Sequence, residues 1–389
     1  MVQGNEGDII SSWSFHNPTR IIFGEDSVES IGGIIGVERA VLVTSPGFRK
    51  RGLVKRIEEL MNGRIARVLD TVTPNPNLDD IDALRFMDGL DEVDSIIALG
   101  GGSSIDTAKA LSRIMTSSRD EPLSDHFWKG PPPGASATVP IIAIPTTAGT
   151  GSEVTSTATI WNHQKGAKHS LCGDDLYPRT AIVDPVQTYD LPESVTVSCG
   201  LDAISHAFES IWNRNASPMS TVLATQSLRM SLDALPRLKT NGHDIQARSS
   251  MMQASLMAGL AISQTRTALS HSLSYPLTIE LGIPHGIACS FALPEILEFN
   301  AAADDGRLET LVIELGYGTI SRLGNELRSL LELSLSSTDS LNGMSGRTLT
   351  IDLKKRMFTR GRMDNNLRSV ELNDLDPILS KALDRYGVQ

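Results

Sequence analysis

Residues 96–110, IIALGGGSSIDTAKA, run from a continuous apolar stretch into three consecutive glycines, two serines and then a helical repeat. An apolar run that stops at glycine reads as a strand buried on both faces, and such strands belong to parallel sheets covered by helices. The same pattern recurs along the first half, in RIIFG (20–24), AVLVTSPG (40–47), ARVLDTV (66–72) and PIIAIPTT (140–147). Helices are expected between them: from about Ser27, through RGLVKRIEELMN, and through IDALRFMDGL after a Pro/Asn-rich turn at TPNPNLDD. Strand alternating with helix throughout predicts a doubly wound parallel sheet, hence an α/β domain.

The texture changes after AIVDP (181–185), beyond which the chain reads mostly as helix with few β-branched runs. At 389 residues it is too long for one typical core. The expected division is an α/β dinucleotide-binding domain over 1–184 and a helical metal-binding and substrate domain over 185–389, meeting near Asp184. A polar, proline-rich insert covers Ser117 to Ala137, and a serine- and leucine-rich piece, Leu327 to Ser345, reads as a helix followed by a loop.

Two loops carry the nucleotide chemistry. Glycines in the first let backbone approach a pyrophosphate, while free N–H groups at the helix start favour anionic oxygens. The second, IPTTAGTGSEVT (144–155), is small and hydroxyl-rich and also follows a strand. Loops at the carboxyl ends of parallel strands are where α/β sheets bind ligands. There is no G-x-G-x-x-G, so an ordinary Rossmann site is excluded. An acidic residue after the second strand would bind the 2′-hydroxyl of NAD; Ser45 is neutral there, with Arg49 and Lys50 close behind, which favours NADP over NAD.

In LDAISHAFES, Asp202 and His206 are four residues apart and share a helix face, and His271 and His285 follow in HSLSYPLTIELGIPHG. One carboxylate and three imidazoles suit iron(II), zinc, cobalt or nickel, and the sequence does not choose among them. The other five histidines read as surface or core residues. A net charge of -11 argues against nucleic acid or an anionic membrane as main partner, and no apolar stretch is long enough to span one. Three widely spaced cysteines without C-x-x-C, and an N-terminus unlike a secretory signal, predict a cytoplasmic setting.

These motifs, GGGSSIDTAKA, PTTAGTGSEVT, AIVDP, GLDAISHAFES and IPHG, resemble the iron-containing (group III) alcohol dehydrogenases over nearly the whole chain. The resemblance implies Asp202, His206, His271 and His285 as metal ligands, with iron(II) expected and zinc an alternative. It implies Gly100, Gly101, Gly102, Ser103 and Asp106 at the pyrophosphate, and Thr146, Thr147, Thr150, Asn75 and Lys168 at further cofactor contacts, alongside Ser45. It also implies a cleft between an α/β dinucleotide domain like that of dehydroquinate synthase and an all-α domain, and a homo-oligomer, commonly a dimer. Where many members carry a further histidine used in proton relay, this chain has Tyr275, a poorer base near neutrality but able to donate and accept.

NASPMS, TRTALSHSLSYPLT and Tyr275 resemble the branch of that family found in phosphonate pathways, which reduces phosphonoacetaldehyde to 2-hydroxyethylphosphonate. Arg266, five residues before His271, is the expected contact for a substrate anion, with helix capping as its other reading; Arg360 and Arg362 are weaker candidates. Rival expectations are a reductase for another short aldehyde or semialdehyde, and an NAD-using lyase resembling dehydroquinate synthase.

Overall fold

The computed structural model describes residues 12–34, 36–117, 121–127, 138–335, 351–358 and 361–385. Arg360 and most of the proline-rich insert lie outside them, as does the loop part of the serine- and leucine-rich piece.

The strands are β1 (Arg20–Phe23), β2 (Ala40–Thr44), β3 (Ile65–Leu69), β4 (Ser95–Gly100), β5 (Ile141–Pro145), β6 (Thr157–Asn162), β7 (Ala167–Cys172) and β8 (Thr180–Val183). Six of them form one sheet in the order β1-β8-β5-β4-β2-β3, and every neighbouring pair is parallel. All five residues of β2 and all six of β4 are buried, as the continuous apolar runs require of strands covered on both faces. The chain steps outward from β2 to β3, then returns past β2 to β4 and on to β5, so its direction across the sheet reverses between β2 and β4. The crevice outside the carboxyl ends of the strands at such a reversal is the ligand-binding position of open α/β sheets.

In this domain the helices are α1 (Pro46–Lys50), α2 (Leu53–Met61), α3 (Leu78–Ala83) and α4 (Gly102–Met115). Two expectations need correcting. The IDALRFMDGL helix stops at Ala83 and tightens into a 3-10 turn, Leu84–Phe86; Phe86 is exposed, so the segment has no single apolar stripe to bury. Strand and helix also do not alternate throughout, because β6 and β7 form an antiparallel hairpin outside the main sheet.

The second half is helical: α5 (Glu193–Ile211), α6 (Pro218–Thr240), α7 (Ile245–Thr265), α8 (Leu269–Leu281), α9 (His285–Ser290), α10 (Leu293–Ala301), α11 (Arg307–Glu314), α12 (Ile320–Leu335), α13 (Ile351–Met357) and α14 (Leu375–Arg385). The α5 residues from Gly200 to Ile211 are buried on every face, which makes α5 the axis of this half. Helices α6, α7 and α9 pack on it. NASPMS starts α6 by chemistry its sequence announces: Ser217 and Ser220 make a reciprocal capping box, with Pro218 in the first turn. Gly282, at φ 68, ends α8 so that the chain can turn into Pro284 and His285. Among the described residues no helix is long and apolar enough to cross a membrane.

Candidate metal centre and dinucleotide cleft

The two polar loops meet at the sheet's carboxyl edge. Gly100 pairs in register with Pro145, and the Thr146 N–H donates to the Gly100 carbonyl at 3.0 Å. A Cβ on Gly101 would lie 3.0 Å from Thr147 Oγ1, and one on Gly102 2.8 Å from Thr150 Cγ2. Any side chain at these glycines would push the loops apart and fill the space above the start of α4, which is a cradle for a phosphate. Asn75, at φ 58, closes one side, its N–H reaching Ser103 Oγ at 3.3 Å. The sequence-predicted cofactor residues Asn75, Gly100 to Ser103, Thr146, Thr147 and Thr150 are therefore neighbours.

Asp106 has a different surrounding. Its oxygens accept from Ser152 Oγ at 2.7 Å and from the Thr159 N–H at 2.8 Å. One turn on, the buried Lys109 donates to the Ser152 and Thr157 carbonyls and to the Ser152 and Thr155 hydroxyls. Burial brings the Lys109 amine down to about 8, with Asp106 and Glu153 pulling the other way. This pair fastens α4 to the second loop and the hairpin. Ser45 stands at the carboxyl end of β2 as the cap of α1. Arg49 is held by Asp70, whereas Lys50, the other expected basic neighbour, makes no ion pair among the described residues.

The second loop also seals the joint between the halves. A Cβ on Gly149 would meet Cys199 of α5 at 2.8 Å, and one on Gly151 would meet the Gly259 Cα of α7 at 2.4 Å.

Below that joint lie the metal-ligating candidates, all from buried helix faces. Asp202 and His206 project from α5, His271 from α8 and His285 from the first turn of α9. The His206 and His271 rings stack at 4.5 Å, and His271 meets His285 edge-on at 5.5 Å. Asp202, His271, His285 and Cys289 each offer a donor atom within 4.8 Å of the others. His206 stands just outside that foursome, stacked parallel to His271.

Three buried atoms in this cluster make no hydrogen bond: His206 Nδ1, and Asp202 Oδ1 and His271 Nε2, which face each other at 3.5 Å. Leaving such groups unpaired costs about 1–3 kcal/mol each, a cost that a divalent cation removes. Imidazole and carboxylate donors fit iron(II) or zinc. Two of the protonation states fit as well, while His271, held protonated above its ordinary range, must shed a proton to ligate. Burial would push the Asp202 carboxyl up, but His206, His271 and His285 hold it well below the usual carboxylate range. Burial and Lys168 keep His285 neutral, far below its ordinary value.

Glu209, two turns on from Asp202 and fully buried, was not identified from the sequence. Its carboxylate bonds His271 Nδ1 at 2.7 Å and accepts the backbone N–H groups of His271 and Ala268. That contact fixes the His271 tautomer and leaves Nε2 for a metal. An acid at i+7 from Asp202 and i+3 from His206 lies on the ligand face of a helix otherwise buried, and that spacing was the available signal. Cys289, one turn after His285, was missed for the same reason, its Sγ 3.6 Å from His285 Nε2.

Tyr275 is buried beside the cluster, its ring nearly parallel to His285 at 6.2 Å. Burial raises the phenol, but Lys168, Arg362 and His271 outweigh it and bring it below its ordinary value. Arg266 closes α7 with φ 65 and is exposed; its carbonyl accepts from Asn213 Nδ2 at 2.9 Å. Its charge is felt at Cys172 on β7, together with that of Arg362.

Comparison with known proteins follows the same division. The iron-containing alcohol dehydrogenase family matches residues 18–185, and the C-terminal part of the Fe-containing alcohol dehydrogenase family matches residues 196–333. The chain is 32% identical to the NAD-dependent methanol dehydrogenase of Bacillus methanolicus, over 78% of this chain and 80% of that one. It is 34% identical to the sulfoacetaldehyde reductase of Bilophila wadsworthia, over 68% of each. The crystal structure of sulfoacetaldehyde reductase from Bifidobacterium kashiwanohense in complex with NAD+ superposes with a TM-score of 0.88 at 29% identity, over 95% of this chain and 98% of that one. With one family's two halves matched to the two walls of the cleft, the chain belongs to the iron-containing alcohol dehydrogenases.

Proposed function

We propose that this enzyme reduces a short aldehyde to a primary alcohol with NADPH or NADH, that its favoured substrate is phosphonoacetaldehyde, giving 2-hydroxyethylphosphonate, and that it serves phosphonate biosynthesis in the cytoplasm. The observation that carries the reaction class is the convergence of Asp202 Oδ1, His206 Nδ1 and His271 Nε2, buried and without hydrogen bonds, in one cluster near the glycine and threonine loops. The α/β part through Asp184 holds the dinucleotide and the helical part holds the metal. Two relatives named sulfoacetaldehyde reductase support a two-carbon aldehyde bearing a tetrahedral oxyanion.

Asp202, His206, His271 and His285 would hold the iron, or zinc in its place, which would supply Lewis acidity toward the carbonyl oxygen. Glu209 keeps the His271 proton on Nδ1. Gly100 to Ser103, with Thr146, Thr147, Thr150 and Asn75, would hold the dinucleotide; orientation of this kind is worth several kcal/mol of barrier. Tyr275 Oη, buried beside the cluster, is the group that would give a proton to the product oxygen.

The test is anaerobic oxidation of NADPH and of NADH by the iron(II)-loaded enzyme with phosphonoacetaldehyde, sulfoacetaldehyde and propanal. Stoichiometric loss of reduced nicotinamide is expected. A lyase of the dehydroquinate synthase type would recycle its nicotinamide and show no net loss. His285→Ala should abolish turnover while dinucleotide binding persists; near-full activity would remove the metal assignment.

A further inference from the structure

Two cations converge on one aromatic ring next to the metal-ligating cluster. Lys168 Nζ lies 3.8 Å from the Tyr275 ring centroid, and Arg362 Cζ lies 4.3 Å from it. Lys168 comes from β7, while Arg362 comes from the turn before the 3-10 segment Met363–Asn365, so two distant parts of the chain deliver them. Arg362 Nη2 also donates to Ser170 Oγ at 3.1 Å. Ser170 is two residues from Lys168 on β7 and so shares its face.

Neither cation makes an ion pair with a carboxylate among the described residues; Tyr275, Arg362 and Cys289 act on Lys168, and Asp106, whose carboxylate also feels its charge, is occupied by Ser152 Oγ and the Thr159 N–H. Two like charges on one ring repel each other, and the ring face returns only about 0.5–2 kcal/mol for each. The arrangement lacks an anion.

Its position says which one. Tyr275 follows His271 by one turn of α8, a rise of about 6 Å, and its ring lies parallel to that of His285. A molecule with its carbonyl oxygen at the histidine cluster and an acid group two carbons away would bring that group to Arg362 and Lys168. A guanidinium offers a planar fork of donors to phosphonate or sulfonate oxygens.

We propose that Arg362, with Lys168 and seated on the Tyr275 ring, forms the subsite for the tetrahedral oxyanion of the aldehyde substrate. Arg362 thereby takes the role that sequence gave to Arg266. The inference rests on the aldehyde-reductase function proposed above. Lys168 is also the residue expected at the cofactor, so Arg362 is the decisive one to change.

The experiment compares the wild-type full chain, Arg362→Met, Arg362→Lys and Ser170→Ala, all iron(II)-loaded, with phosphonoacetaldehyde, sulfoacetaldehyde and propanal. Loss of a charged hydrogen bond costs about 10- to 150-fold, so kcat/KM for the two anionic aldehydes should fall by about that factor in Arg362→Met. The fall should lie mainly in KM, and preference over propanal should disappear. Arg362→Lys should recover part of it, and Ser170→Ala, which only loosens the arginine, should give a smaller shift of the same sign. An equal fall for charged and uncharged aldehydes, a wild type with no preference for the anion, or a change confined to the dinucleotide KM would overturn the subsite. If wild type turned over no aldehyde with either dinucleotide, the proposed function would fall instead. Calorimetric binding of 2-hydroxyethylphosphonate to wild type and Arg362→Met then decides the subsite alone: tighter binding to wild type upholds it, equal binding ends it.

Discussion

At the scale of single residues, Glu209 and Ser45 make the most direct claims. In Glu209→Gln the side chain keeps its shape but loses the charge that orients and polarises His271. Removing such a partner behind a ligand typically costs about 10- to 100-fold in metal affinity. Competition with a chromogenic chelator should show that loss while thermal unfolding of the metal-free protein changes little; unchanged affinity would make Glu209 a brace for α8 only. In Ser45→Asp a carboxylate stands where the adenosine ribose is expected. It should repel a 2′-phosphate and shift the NADPH-to-NADH ratio of kcat/KM by about tenfold or more toward NADH. A ratio that stays put would place dinucleotide choice elsewhere. The candidate ligands were legible in sequence because helix spacing makes Asp202 and His206 neighbours and because Pro-His-Gly fixes where a helix begins. Glu209 and Cys289 were harder: a buried acid and a buried thiol look ordinary until tertiary packing shows what they face.

At the scale of elements, the parallel strands could be read directly, since burial on both faces leaves continuous apolar runs with glycine at their ends. The β6–β7 hairpin could not. Its strand AKHSLC is polar and half-exposed, without the clean alternation of a strand packed on one face, yet it delivers Lys168 and Ser170 to the cleft. The junction between the second loop and α7 has a definite energetic meaning. A methyl group on Gly259 would sit 2.7 Å from the Gly151 Cα and 2.9 Å from Val154 Cγ2. Overpacking of this kind costs about 1–3 kcal/mol, so Gly259→Ala should lower the unfolding temperature by several degrees. Because the displaced segment carries Thr147 and Thr150, the dinucleotide KM should rise with it. A variant as stable as wild type with an unchanged KM would show that the junction yields easily.

For the whole molecule, metal, proton and fold are linked. Burial lowers His271, but Cys289, Glu209 and Asp202 outweigh it and hold its protonated form well above the ordinary histidine range. A ligating imidazole must be neutral, so loading the cluster expels that proton and affinity should rise with pH through the range where His271 titrates. Metal titrations at a series of pH values test the sign; a flat profile would mean that His271 is already neutral. Stripping the metal should abolish turnover and lower the unfolding temperature, and restoring iron(II) should raise it in proportion to the logarithm of its free concentration. The net charge of -11 says nothing of this local chemistry, because the anion-seeking groups are few and gathered in one cleft.

The contact between Gly151 and Gly259 also bears on how such a chain can change over generations. Backbone lies on backbone there, one strip from the α/β half and one from the helical half. Neither position can acquire a side chain while the other stays where it is, and a substitution at both compounds the clash. Drift by single steps is therefore blocked at this joint. The proposed anion subsite is built from a hairpin and a C-terminal turn, where Gly166 and Gly361 have open space around them. Descendants of this chain can exchange one aldehyde for another far more readily than they can alter how the two halves meet.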